Sequence, residues 1–260
     1  MPFAVRSEPP PPDVSCLSGS KQRQWDVLSV VVPAYNEVDY LGAMLREVTN
    51  GLLDRGEPFE IVVVENGSTD ATWDTLVQLE GELSEVRALR LGEANYGLAL
   101  QRGLEAAVGD EAVIFDVDYF DLGFLKDAVD LLRSSSAPSI VVGSKRGAGA
   151  VDRRPWHRRA VTAAFAGVLR AFFGLRLPDT HGIKAIRLAA IAPIVTQCHC
   201  RHDLFDTELI VRAQRQGLAV DYLPVEVAEV RAPRSSVLRR IPRTLTGLAR
   251  LRWTLWRDPA

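Results

Sequence analysis

Residues 115–121 read Phe-Asp-Val-Asp-Tyr-Phe-Asp and follow the apolar run Ala112–Phe115. Side chains of an extended segment repeat every two residues, so Asp116 and Asp118 fall on one side of a strand end. Two adjacent carboxylates repel unless a cation lies between them. Mg²⁺ or Mn²⁺ suits such a pair, because each accepts one or two carboxylates and fills its remaining positions with water or the oxygens of a diphosphate. Asp121 reads as the N-cap of the helix that follows.

The elements that must position these acids alternate along the chain. Short apolar, β-branched runs at 28–32, 60–64, 86–91, 111–115 and 139–143 are predicted strands. The first four lead into amphipathic stretches near 38–48, 71–82, 96–107 and 122–133, which are predicted helices. Continuous apolar strands interleaved with helices imply a mostly parallel, doubly wound α/β sheet covered on both faces. Ligands of such sheets bind beyond the carboxyl ends of the strands. Polar residues gather at that edge: Pro33-Ala34-Tyr35-Asn36-Glu37 after the first strand, Glu65-Asn66-Gly67-Ser68-Thr69-Asp70 after the second, and Asp116-Val117-Asp118 after the fourth.

SVVVPAYNE (29–37), VVVENGSTDAT (62–72), NYGLALQRGL (95–104) and FDVD (115–118) together resemble the GT-A glycosyltransferases of family 2. VVGSKRGAG (141–149), DTHGIKAIR (179–187) and FDTELIVRAQRQG (205–217) resemble the dolichyl- or polyprenyl-phosphate sugar synthases within it. The resemblance covers about residues 27–240 and implies a single GT-A domain that moves a hexose, with inversion, from UDP-glucose or GDP-mannose to a polyprenyl phosphate. It implies roles as well. Pro33, Tyr35 and Glu37 hold the nucleoside. Val64, Glu65 and Asn66 read its base. Asp116, Val117 and Asp118 form the metal and diphosphate motif, with Asp116 and Asp118 as metal ligands. Lys145 and Arg231 are phosphate ligands. Asp206 and Glu208 are base candidates, beside the alternative of a helix-initiating acid pair, and Asp118 belongs to the catalytic set. His181 stands on the acceptor side.

The sequence departs from the family pattern at several places. Glu65-Asn66 replaces two aspartates, and an Asn offers donors as well as an acceptor. Lys145 replaces a bidentate Arg with a point charge. Phe120 stands where some relatives carry Gln, and Val237 where they carry Lys. Two other readings stay open: an enzyme with a soluble acceptor, and a degenerate sugar-nucleotide binder.

The net charge of −2 divides into +7 over residues 231–260 and −9 over the rest, with a second basic island at RRPWHRR, 153–159. Residues 1–26 are expected to be a disordered leader and 27–230 the catalytic domain. Residues 231–260 should form a basic amphipathic helix beginning at Pro242. Its apolar residues Ile241, Leu245, Leu248, Leu251, Leu255 and Trp256 share a face, which either docks on the body or lies in a membrane interface. No apolar run is long enough to span a bilayer. Three cysteines make no disulfide framework. A cytoplasmic location is expected, peripheral on the inner face of an anionic membrane, with no nucleic-acid partner. Cys198-His199-Cys200 with His202 lacks the second ligand pair of a zinc site.

Overall fold

The computed structural model describes residues 27–257 apart from 136, 176, 201–203 and 228–236, and of 237–241 the backbone. The predicted leader and Arg231 lie outside the described residues. The chain begins β1 (Leu28–Ala34), α1 (Leu41–Leu53), β2 (Phe59–Asn66), α2 (Thr72–Glu82), β3 (Val86–Leu91), α3 (Tyr96–Ala106), β4 (Glu111–Ile114) and α4 (Leu122–Leu132). It continues through β5 (Ile140–Ser144), β6 (Val151–Asp152), α5 (Trp156–Phe173), β7 (Lys184–Arg187) and α6 (Leu188–Val195). It closes with α7 (Phe205–Arg215), β8 (Val220–Pro224), β9 (Glu226–Val227) and α8 (Val237–Arg257). The predicted strands and helices of the first 145 residues all form, with boundaries shifted by a few positions.

Seven strands make one sheet in the order β3-β2-β1-β4-β7-β5-β8, and β6 pairs with β9 beside it. β7 runs antiparallel to both its neighbours, β4 and β5, while the other pairs are parallel. After β3 the chain crosses back to the far side of β1, and this reversal opens the crevice where such sheets bind ligands.

Helices cover both faces, which explains why strand residues are apolar without alternation. Val30, Val32 and Val113 pack towards α1 and α4 with Leu41, Leu45 and Leu125. Val31, Ile114 and Val142 pack the opposite way with Leu100, Ile191 and Leu209. The second layer includes the C-terminal helix: Leu248, Leu251 and Leu255 are buried in it. Helix α8 therefore docks its leucine stripe on the body. It starts at Val237 and carries Pro242 inside it. Trp256, expected on the buried face, is 71% exposed, and Trp253 and Leu245 are exposed beside it.

Candidate active site

The cleft lies at the carboxyl ends of β1, β2 and β4. Pro33, Tyr35 and Glu37 line it from the first loop, Asn66 from the second, and Asp116, Val117 and Asp118 from the third. Tyr96, at the start of α3, completes it.

The first two loops are tied to each other. Asn36 sits in the left-handed region at φ 55°, which Asn tolerates better than most residues. Its backbone N–H donates to Ser68 Oγ at 3.0 Å, and its Oδ1 accepts from Thr69 N at 2.8 Å. The Glu37 N–H donates to Thr72 Oγ1 at 2.8 Å. Side-chain bonds to backbone of this kind hold a turn without regular structure. Gly67, at φ 66°, leaves no room for a Cβ, which would meet the Glu93 backbone at 2.6 Å.

Strand alternation sets Glu65 on the opposite face from Val64 and Asn66. Asn66 faces the cleft. Val64 is buried and packs with Val62 and Ala99. Glu65 turns into the fold, where its Oε1 accepts from Ser68 N and its Oε2 lies 3.5 Å from the Arg90 guanidinium. Asn66 Oδ1 accepts from Asn95 N at 2.5 Å, and Asn95 in turn N-caps α3 through Leu98 N at 3.2 Å.

The acidic turn is closed by two backbone bonds of 3.1 Å between Asp116 and Tyr119. Burial at the strand end pushes the Asp116 carboxyl up to about 6, the charge of Asp118 adds to this, and Lys184 opposes it. The Tyr96 hydroxyl donates to Asp116 Oδ1 at 3.3 Å. Among the described residues, no three His, Cys, Asp or Glu side chains converge as a metal site. The donor set is thus two hard carboxylates whose mutual repulsion a cation would relieve. That fits Mg²⁺ or Mn²⁺ completed by water and phosphate oxygens. Asp121 caps α4 through Phe124 N at 2.9 Å, and Phe120 packs on Phe115 at a centroid distance of 6.2 Å, so neither joins the acid pair.

Beyond the acid pair lies a buried ion pair that sequence reasoning missed. Lys184 Nζ is 2.9 Å from Asp206 Oδ1, with side-chain exposures of 0% and 2%. Lys184 also donates to the Gly182 carbonyl at 2.7 Å. Gly182, at φ 112°, takes a conformation that favours glycine, and a Cβ there would lie 3.8 Å from Lys145 Nζ. Lys145 and Asp206 both act electrostatically on Asp116. The structure therefore brings Asp116, Asp118, Lys145, Lys184 and Asp206 into one charged group. The signal in the sequence was a lysine directly before the apolar pair Ala185-Ile186.

Glu208 stands apart from this group. Fully buried, it accepts from His199 N at 2.9 Å and Cys200 N at 2.6 Å, and from Arg212 Nε at 2.8 Å. Its carboxylate holds the chain before α7. His181 packs edge-on against Phe165 at 5.1 Å, with Thr180 Oγ1 at 3.2 Å from Nδ1. Burial raises both described cysteine thiols, Cys200 to about 12, so they are poor metal ligands near neutrality. His202 lies outside the described residues.

Residues 29–200 match the model of Glycosyl transferase family 2. The chain is 35% identical over 208 residues to the glycosyltransferase AglD of Haloferax volcanii, covering 76% of this chain and 32% of that protein. It is 28% identical over 225 residues to the dolichyl-phosphate beta-glucosyltransferase of Saccharomyces cerevisiae, covering 78% and 67%. It thus spans about a third of the first relative's length and two thirds of the second's. A solved structure of glucosyl-3-phosphoglycerate synthase from Mycobacterium tuberculosis, in complex with Mn²⁺, UDP and phosphoglyceric acid, superposes with a TM-score of 0.64 at 23% identity, covering 87% and 78% of the two chains. That likeness establishes the GT-A fold. With the family model matched from the first strand through the acidic turn to the buried lysine, the chain belongs to glycosyl transferase family 2.

Proposed function

We propose that this chain transfers a hexose, with inversion, from a nucleotide-diphosphate sugar to a polyprenyl phosphate, with UDP-glucose and GDP-mannose as the donors to test. The observation that carries the acceptor class is the Lys184–Asp206 pair. A hydroxyl acceptor needs a base to take its proton. Here the acid expected in that role is buried against a lysine at 2.9 Å, and Glu208 is occupied by the backbone and Arg212. An acceptor that arrives as a phosphate anion needs alignment more than a base. The relative from yeast, named for dolichyl-phosphate glucosyl transfer, supports the same choice.

In this reading an acceptor phosphate oxygen bonds to the anomeric carbon while the bond from that carbon to the diphosphate oxygen breaks on the opposite face. Negative charge builds on the departing nucleoside diphosphate. A divalent cation held by Asp116 and Asp118 would neutralise that charge. Lys145 stands beside the acids to assist, and the two knitted loops hold the nucleoside. The exposed Trp253, Trp256 and Leu245 edge of α8, with Arg257 stacked 4.8 Å over Trp253, offers an aromatic and basic surface to an anionic membrane.

The test is transfer by purified protein with Mn²⁺, offered each donor with and without a polyprenyl phosphate. Diphosphate release that requires the lipid, and that falls by about 10²–10³ in Asp118→Ala, is expected. Release driven by a small soluble acceptor instead would replace the acceptor assignment. Donor binding without any release would make the chain a sugar-nucleotide binder.

A further inference from the structure

Tyr96 enters the cleft from a helix, while the other lining residues come from strand ends and their loops. Its place is set at both ends. It follows Asn95, which is 4% exposed, donates its backbone N–H to Asn66 Oδ1 at 2.5 Å and caps α3 through Leu98 N at 3.2 Å. Its ring packs, partly buried, against the second core layer. A tyrosine held by backbone and ring has little freedom left for its hydroxyl, and that hydroxyl donates to Asp116 Oδ1 at 3.3 Å. Helix α3 thus holds one oxygen of a carboxylate that belongs to the turn after β4. Of the two Asp116 oxygens, Oδ1 is engaged from the protein side, which leaves Oδ2 to a cation.

We infer that Tyr96 is a positioning residue that makes Asp116 a one-oxygen ligand and so tunes the acid pair to Mn²⁺ or Mg²⁺ over Ca²⁺. The reason is coordination geometry. A carboxylate bound through both oxygens spans too narrow an angle for the near-ideal octahedron that Mg²⁺ demands, whereas Ca²⁺ takes more oxygens in a looser arrangement and accepts both from one carboxylate. Mn²⁺ shares the octahedral preference. A hydrogen bond from the protein to a ligand carboxylate also fixes its orientation, and loss of such a partner costs about 10–100-fold in metal affinity. This inference rests on the proposal that the acid pair holds a divalent cation against a nucleoside diphosphate, and the experiment separates the two.

Binding of UDP and of GDP is measured by titration calorimetry in chelator, in Mn²⁺ and in Ca²⁺, on the full chain and on Tyr96→Phe. Circular dichroism checks each fold. The quantity read is the gain in nucleotide affinity that each metal confers. A gain is a ratio, so any direct contact of Tyr96 with the nucleotide cancels from it. In the wild type Mn²⁺ should confer the larger gain. Tyr96→Phe keeps the ring and removes only the hydroxyl. Its Mn²⁺ gain should fall by about tenfold, while its Ca²⁺ gain holds or rises, because the freed oxygen is one that Ca²⁺ can use. An unchanged Mn²⁺ gain, or equal falls in both gains, would overturn the inference. So would a wild type in which Ca²⁺ confers at least the gain of Mn²⁺. If the variant fails to fold, the wild-type order of the two metals decides. If nucleotide binds the wild type equally with and without metal, the acid pair holds no cation and the proposal beneath the inference fails. If neither nucleotide binds under any condition, the nucleotide site itself fails. Both differ from a metal preference of the wrong sign.

Discussion

The two halves of the cleft hold their polar groups by different physics. From β1 to α4 the loops are fixed mostly by single hydrogen bonds to backbone: Asn36 to Thr69, Thr72 to Glu37, Asn66 to Asn95, and the Glu65 carboxylate to Ser68. The acid pair of this half, Asp116 and Asp118, lines the cleft. From β7 to α7 the reverse holds. The charges are inside and matched, Lys184 with Asp206 and Glu208 with Arg212, each pair within 2.9 Å. One half is a hydrogen-bonded frame with an acid pair lining the cleft. The other carries its own cation and presents a settled surface. Under the proposed function, such a site could release diphosphate and metal from one half without disturbing the other.

Breaking the internal pair tests this most severely. Lys184→Met strands a buried carboxylate and should cost about 3–5 kcal/mol of folding free energy, read as a lowered denaturation midpoint. Lys184→Met with Asp206→Leu should recover most of that stability, because a matched apolar pair is often neutral. If the double variant is as unstable as the single one, the pair is not the unit described here.

Helix α8 offers a second contrast within the far half. Leu251→Ala should cost about 2–5 kcal/mol, since its side chain is 2% exposed in the core. Trp253→Ala with Trp256→Ala should change stability by no more than about 0.5 kcal/mol per site, yet abolish cosedimentation with anionic vesicles. Loss of stability in the tryptophan variant would mean that this edge serves the fold.

The cleft acids of the first half predict a smaller, pH-dependent effect. The Asp116 carboxyl is raised from 3.8 to about 6, by burial first and by Asp118 next. The folded protein therefore holds that proton more tightly than the unfolded chain. This group's contribution without metal should be most favourable below about pH 4 and be lost as pH rises through about 6. The slope is at most about 1.4 kcal/mol per pH unit. Denaturation in chelator should show the decline, and Mn²⁺ should flatten it. Stability that rises across this window in chelator would contradict the raised Asp116 carboxyl.

The same contrast decided what could be read from the sequence. The strands of the first half are continuous apolar runs because both faces are covered, and their loops carry the polar residues at strand ends where chemistry is expected. Asp116, Asp118, Pro33, Tyr35 and Glu37 meet in the cleft as expected. β7 was not visible: KAIR is four residues with two charges, and only the folded molecule shows that its lysine is buried against an acid twenty-two positions later. The RRPWHRR island gave no sign that it opens the 18-residue helix α5. Periodicity was also silent on which of Glu65 and Asn66 would point inwards, because a one-residue offset on a strand exchanges faces. The leucine stripe of α8 was legible, but its partner was not. A helical wheel cannot tell a protein body from a bilayer.

Arg252 Nη1 donates to the carbonyl of Phe172 at 2.7 Å, near the last turn of α5, and Arg215 Nη1 reaches the carbonyl of Leu255 at 2.5 Å. Each places a cation where a helix gathers negative charge, and together they pin α8 to two other helices. A helix so pinned cannot swing on its own. Any surface that grips its tryptophan edge grips the whole molecule, with the mouth of the cleft at a constant height and tilt. If the proposed lipid acceptor moves in that surface, the search for it is reduced from three dimensions to two.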